Sequence, residues 1–141
     1  MNKKINLIIG SGVLGAYLSA NLLKKKEKVI VTTRLIRKKM QNYDYLKIQK
    51  KVKFEKLDVN KKISIQKIIN KYRPDKIFYF AGQSSLTKSL KYQKETLQSH
   101  FNGTKNFLDV LKEKNLKIKF FKANSGYIFS PNKGRIDFFE K

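Results

Sequence analysis

Three glycines, Gly10, Gly12 and Gly15 in the stretch INLIIGSGVLGAYLSA, have the type and spacing to hold a phosphate. In a GxGxxG turn one glycine permits the tight turn. Another lets the backbone approach a pyrophosphate with no Cβ in the way, and the third lets helix and strand pack closely. A helix starting here would turn the free N–H groups of Val13, Leu14 and Gly15 toward the anion, at the end where the peptide dipoles leave about half a positive charge. Arg34 is the second such position. About 20 residues past the glycines, an NAD site places Asp or Glu on the ribose 2′-hydroxyl, whereas arginine suits a 2′-phosphate. The chain offers Thr32, Thr33 and Arg34, then Arg37 and Lys38, with no acid among them, so NADP is the expected cofactor. Asp58, followed by Val59, stands where a carboxylate could accept a hydrogen bond from an adenine amino group or could cap the next helix. Both readings stay open. His100, the only histidine, has no acid or second ligand beside it in the sequence and reads as structural.

These residues need particular elements to position them. The apolar run Ile5, Leu7, Ile8, Ile9 predicts a strand, and Leu14, Ala16, Tyr17 and Leu18 predict a helix reaching about Lys26. KVIVTT (28–33) is a β-branched second strand. Residues 35–51 are polar and basic and predict a loop with one short helix. VKFEKL (52–57) alternates as a third strand, and Ile65, Ile68, Ile69 and Tyr72 mark a helix that Pro74 stops. KIFYFA (76–81) is a near-continuous apolar run, as a parallel strand buried on both faces requires. Gly82, Gln83, Ser84 and Ser85 form a polar turn after it. A long helix is predicted over residues 94–114, with Leu97, Phe101, Thr104, Leu108 and Leu111 on its buried face. KIKFFKA (117–123) is the fifth strand, with Ser125 just past its end. This order predicts an α/β fold, a doubly wound parallel sheet occupying residues 1–141 as one domain.

The 141 residues carry a formal charge of +23 and no cysteine, which excludes a disulfide framework and a thiolate metal site. The short, glycine-interrupted apolar run at the start is too brief to span a bilayer, so a cytoplasmic chain without a membrane partner is expected. The charge raises the prospect of nucleic acid. Only four of the 33 basic residues are arginine, and lysine is spread through every segment, which reads as a bias of the whole composition rather than a built patch. Nucleic acid is therefore not the expected partner. A non-catalytic binding module with a basic nucleic-acid-binding surface stands as the rival reading.

The glycine turn, Asp58, FAGQSS, NGTKNFLDVL and KANSGYIF together resemble the extended short-chain dehydrogenase/reductase family, in its nucleotide-sugar branch, and most of all the GDP-mannose 4,6-dehydratases. The resemblance implies an NAD(P)-binding Rossmann fold, with Ala81, Gly82 and Gln83 lining the cofactor. It also implies Ser84 and Ser85 bordering a nucleotide-sugar substrate, and Ser125 as the catalytic hydroxyl on the sugar oxygen being oxidised. The implied chemistry is hydride transfer from sugar C4 to NADP, loss of water across C5 and C6, and return of the hydride. The chain departs from the pattern in three places. The family's GxxGxxG puts its first glycine on Ile9 unless a residue is deleted and Gly10 replaces it. Tyr127 occupies the position expected for the dehydrating Glu, which leaves an epimerase or reductase as the alternative. The family's Tyr-x-x-x-Lys pair is expected a little beyond Lys141, with the sugar domain after it, and no such pair stands at the right place in this chain. The chain is therefore expected to be the N-terminal part of a longer enzyme, a split subunit or a truncated reading frame, inactive alone and completed by a second chain or by self-association.

Overall fold

The computed structural model describes residues 3–124. They form one parallel sheet of β1 (Ile5–Ile9), β2 (Lys28–Thr33), β3 (Lys53–Lys56), β4 (Lys76–Tyr79) and β5 (Lys119–Lys122), in the order β3-β2-β1-β4-β5. β1 is central, with Ile8 opposite Val31 on one side and Phe78 on the other. Its alternate side chains enter two separate hydrophobic layers. Leu7 and Ile9 pack with Ile65, Ile69, Phe107 and Val110, while Ile8 packs with Ala16, Leu22, Val31 and Tyr43. The first layer is covered by α3 (Lys62–Tyr72) and α6 (Gly103–Glu113), the second by α1 (Val13–Lys24) and α2 (Gln41–Tyr45). Helices on both faces of a parallel sheet make it doubly wound, as the strand and helix pattern predicts. The order reverses at β1, so a crevice opens between the ends of β1 and β4.

Residues 35–51 contain α2 and a single 3-10 turn at Gln49–Lys51. The segment after β4 differs from the single helix expected. Ser85 caps a short α4 (Leu86–Lys91), its Oγ accepting from the Lys88 N–H at 3.4 Å, and α5 (Gln93–Leu97) follows. A π-turn over Gln98–Asn102 then leads into α6. In this wider turn the Gly103 N–H reaches back to the Gln98 carbonyl, which releases the Ser99 carbonyl to accept from the buried Tyr79 hydroxyl at 2.6 Å. The turn shifts which face of the helix is inward. Gly103, Phe107, Val110 and Leu111 are buried, whereas the expected Leu97, Phe101 and Leu108 are about half or more exposed. Of the expected face, only Leu111 is buried and Thr104 half-buried, because straight 3.6-residue periodicity cannot be carried through a π-turn.

Candidate functional site

Gly10 is where the chain leaves β1, with φ +109° and its N–H donating to the Thr32 carbonyl at 3.1 Å. A Cβ there would lie 3.0 Å from the Phe80 carbonyl carbon and the Ala81 nitrogen, so the turns after β1 and β4 touch through this glycine. Ile9 is still inside the strand, paired with Thr32 and Tyr79. Gly10 thus takes the conformation of the first glycine, with the spacing shortened by one residue. Gly15 is buried in the first turn of α1, where a Cβ would come 2.5 Å from the Gly10 carbonyl oxygen. Gly12, the N-cap of α1, is different. A Cβ on it would meet no protein atom within 4 Å. The middle glycine therefore opens onto free space beside the first N–H groups of a 12-residue helix that has no acid in its first turn.

That space is a cleft of about 650 Å³ at the carboxyl ends of the strands. Among its walls are Gly10, Gly12, Val13, Leu14, Gly15, Arg34, Val59, Ala81, Gly82, Gln83 and Ser84, so most of the residues singled out from the sequence come together on one surface. Asp58 and Ser85 are not on the wall. The Asp58 carboxylate accepts from the Asn60 N–H at 3.0 Å and so forms a local turn, while Lys61 rather than Asp58 is the N-cap of α3. The Ser85 side chain is used on α4 as described above. Ser125 and Tyr127 lie outside the described residues.

A second hollow of about 300 Å³ shares Ser11, Thr33 and Arg34 with the cleft and adds Arg37, Lys39 and Asn42. Lys39 is paired with Asp44 at 3.0 Å, but Arg34 and Arg37 have no carboxylate partner among the described residues. The hollow is thus polar, cationic and open at the end of β2.

The opposite wall holds residues that sequence reasoning missed: Tyr92, Glu95, Thr96 and Ser99. Their spacing of three and four is helical, and a polar stripe of that period was the available signal. His100 sits behind them. Its Nε2–H donates to the Gln83 carbonyl at 3.1 Å, and its ring lies so close over Gly82 that any side chain there would collide with it. The structural role expected for His100 takes this form: it holds the turn after β4 against the helix. Thr104 Oγ1 in turn donates to the His100 carbonyl at 2.6 Å. Burial pushes the Tyr79 hydroxyl beneath this wall up to about 12, so it remains a neutral donor.

A sheet reversing at β1, a glycine turn opening on a helix N-terminus and a cleft at the strand ends define a dinucleotide-binding Rossmann domain. The family model for GDP-mannose 4,6 dehydratase matches residues 7–133, and the chain belongs to that family, within the nucleotide-sugar epimerase/dehydratase group of the short-chain dehydrogenases/reductases. It is 26% identical over 127 residues to a CDP-paratose 2-epimerase of Salmonella typhi, matching 89% of this chain and 38% of that protein. In fold it is similar to a UDP-glucose 4-epimerase of Bifidobacterium longum solved with NAD+ and UDP, at TM-score 0.75 and 22% identity, over 87% of this chain and 37% of the other. It is also similar to an L-threonine dehydrogenase of Clostridium difficile, at TM-score 0.72 and 27% identity, over 89% and 37% respectively. The chain therefore spans less than two fifths of the length of each of these relatives.

Proposed function

We propose that this chain is the cofactor-holding domain, residues 1–141, of a nucleotide-sugar epimerase or dehydratase, and that it takes NADP. The observation that carries the reading is the cationic hollow at the end of β2, joined to a cleft whose middle glycine faces open space. The pyrophosphate would lie on the N–H groups of Val13, Leu14 and Gly15, and Arg34 would meet the 2′-phosphate with Arg37 beside it. Val59 would face the adenine side of the cleft, and Asp58 would hold that loop through Asn60. Ala81, Gly82 and Gln83 would line the far end, in a turn kept in place by His100. When bound, the nicotinamide would supply reversible removal and return of a hydride at a sugar carbon. Ser84 would border the nucleotide-sugar, with Ser85 behind it, and Ser125 would hydrogen-bond the sugar hydroxyl. Tyr127, standing where the dehydratase Glu is expected, and the epimerase relatives support epimerisation, while the dehydratase family match supports dehydration. The match covers less than two fifths of the relatives' length, so residues 1–141 by themselves are expected to bind cofactor without turnover.

Calorimetric titration with NADPH and NADH at physiological ionic strength tests this. The expected result is saturable binding that favours NADPH. Arg34→Ala should remove that preference at a cost of about 1.5–3 kcal/mol, the range for a hydrogen bond to a charged group. Equal losses for both cofactors would overturn the NADP assignment, and no binding by a folded chain would overturn the cradle.

A further inference from the structure

One carboxylate of this basic chain is left without a partner. Every other acid among the described residues is held by a lysine or by a backbone N–H. The Glu95 side chain alone has neither an ion pair nor a hydrogen bond there, although the chain carries 33 basic residues. Glu95 also lines the cleft, and it is the only acid among the described residues to do so. A carboxylate facing the place of an anionic cofactor is unfavourable unless the ligand brings it a donor.

Helix geometry fixes which part of the cleft Glu95 overlooks. At the foot of this wall a Cβ on Gly103 would come 2.8 Å from Val59 Cγ2, and Asn106 Nδ2 donates to the Val59 carbonyl at 3.0 Å. Ser99 and Glu95 precede Gly103 at steps of four, so the three share one face of the segment. His100 lies on the adjoining face and meets Gln83 and Gly82 instead. The stripe that ends in Glu95 therefore rises over Val59, on the adenine side of the cleft, and not over the turn after β4. Its other polar groups have committed their protons within the segment. Thr96 Oγ1 donates to the Tyr92 carbonyl at 2.8 Å, and Ser99 Oγ donates to the Thr96 carbonyl at 3.1 Å. Asp58, the acceptor that the sequence offers to adenine, is off the wall and takes the Asn60 N–H.

Resting on the cofactor reading above, we infer that Glu95 recognises the adenine, its carboxylate accepting from the exocyclic 6-amino group. A carboxylate only accepts, so it suits adenine, which presents N–H donors at position 6. Hypoxanthine carries a 6-oxo group there and has its donor at N1, so its oxygen would face the carboxylate. The cleft thus selects an adenine dinucleotide over its hypoxanthine counterpart, through a residue separate from the 2′-phosphate hollow and from the glycine turn.

Calorimetric titration of the whole chain with NADPH and with reduced nicotinamide hypoxanthine dinucleotide phosphate tests this, in the parent, in Glu95→Gln and in Asp58→Asn. The parent is expected to prefer NADPH by about fivefold or more. In Glu95→Gln the amide can turn to donate or to accept, so the preference should fall to within about twofold. Asp58→Asn keeps an oxygen for the Asn60 N–H and should retain the parent's ratio. Circular dichroism melts check that both variants fold. A parent that does not discriminate, a Glu95→Gln variant that keeps the ratio, or an Asp58→Asn variant that loses it would each overturn the assignment and leave the cradle intact. The same comparison with NADH and its hypoxanthine analogue takes the 2′-phosphate out of the ratio, so the outcome does not hang on Arg34. No binding of any of these dinucleotides by a folded chain would overturn the cofactor reading, and the role of Glu95 with it.

Discussion

Gly12 and Gly15 share a turn but answer to different forces, and substitution separates them. Gly15→Ala drives a Cβ to 2.5 Å from a backbone oxygen that cannot move freely, so a loss of about 1–3 kcal/mol is expected in urea denaturation. Gly12→Ala meets no protein atom and should cost less than about 1 kcal/mol, the difference between the two residues at an N-cap, while still weakening NADPH in calorimetry. Two buried tyrosines make a similar contrast. The Tyr43 hydroxyl has no hydrogen-bond partner, since the neighbouring Ser19 hydroxyl donates to the Gly15 carbonyl at 2.6 Å. Tyr43→Phe should therefore leave stability at pH 7 unchanged or raise it, whereas Tyr79→Phe loses the bond to Ser99 and should cost about 1 kcal/mol. Burial raises both hydroxyls from 10.0 to about 12. A folded pKa above the unfolded one means that the stabilisation is complete below pH 10 and is lost as pH rises through about 12. Urea melts over that range should show a decline that Tyr43→Phe makes shallower.

At the scale of elements, α3 and α6 are tied by Lys62, whose Nζ lies 2.8 Å from Asp109 and 3.2 Å from Glu113. Hydrogen bonds from Lys105 and then Lys62 lower the Asp109 carboxyl from 3.8 to about 2. The sign is the reverse of the tyrosine case. This contribution is present above pH 4 and is lost as pH falls toward 2, so Lys62→Met should flatten the acid limb of stability measured by denaturation between pH 2 and 5. The turn out of α3 offers a gain instead. Arg73 occupies a left-handed C-cap at φ 44°, and Arg73→Gly should raise the melting free energy by about 0.5–1 kcal/mol, the steric penalty removed less the added entropy of glycine. The long helix was the least legible element. Leu97, Phe101 and Leu108 have the period of a buried face, but Tyr79, twenty residues earlier, takes the Ser99 carbonyl and rotates the helix by a π-turn.

For the whole molecule, the proposed cofactor site links binding to folding. Free NADPH at a hundredfold over its dissociation constant should stabilise the chain by about 2.7 kcal/mol, and a thermal melt that does not move under those conditions would show that no such linkage exists. The charge of +23 is read from composition, yet where it can act depends on the sheet. Lysines far apart in the chain, at or just before each strand, meet at one end of the sheet because all five strands run the same way.

The sequence by itself determined the parallel sheet and the glycine turn, because both are written in short windows. Runs such as INLII and KIFYF have to be buried on both faces, and glycine spacing is a local constraint on the backbone. The tertiary structure decided what depends on partners distant in the chain. It turned Asp58 and Ser85 to local hydrogen bonds and left Gly12 alone facing open space. It gathered Arg34 and Arg37 at a cationic hollow and set His100 on the Gln83 carbonyl. A hydrogen bond across 17 or 20 residues leaves no periodic trace, so only packing in three dimensions assigns it.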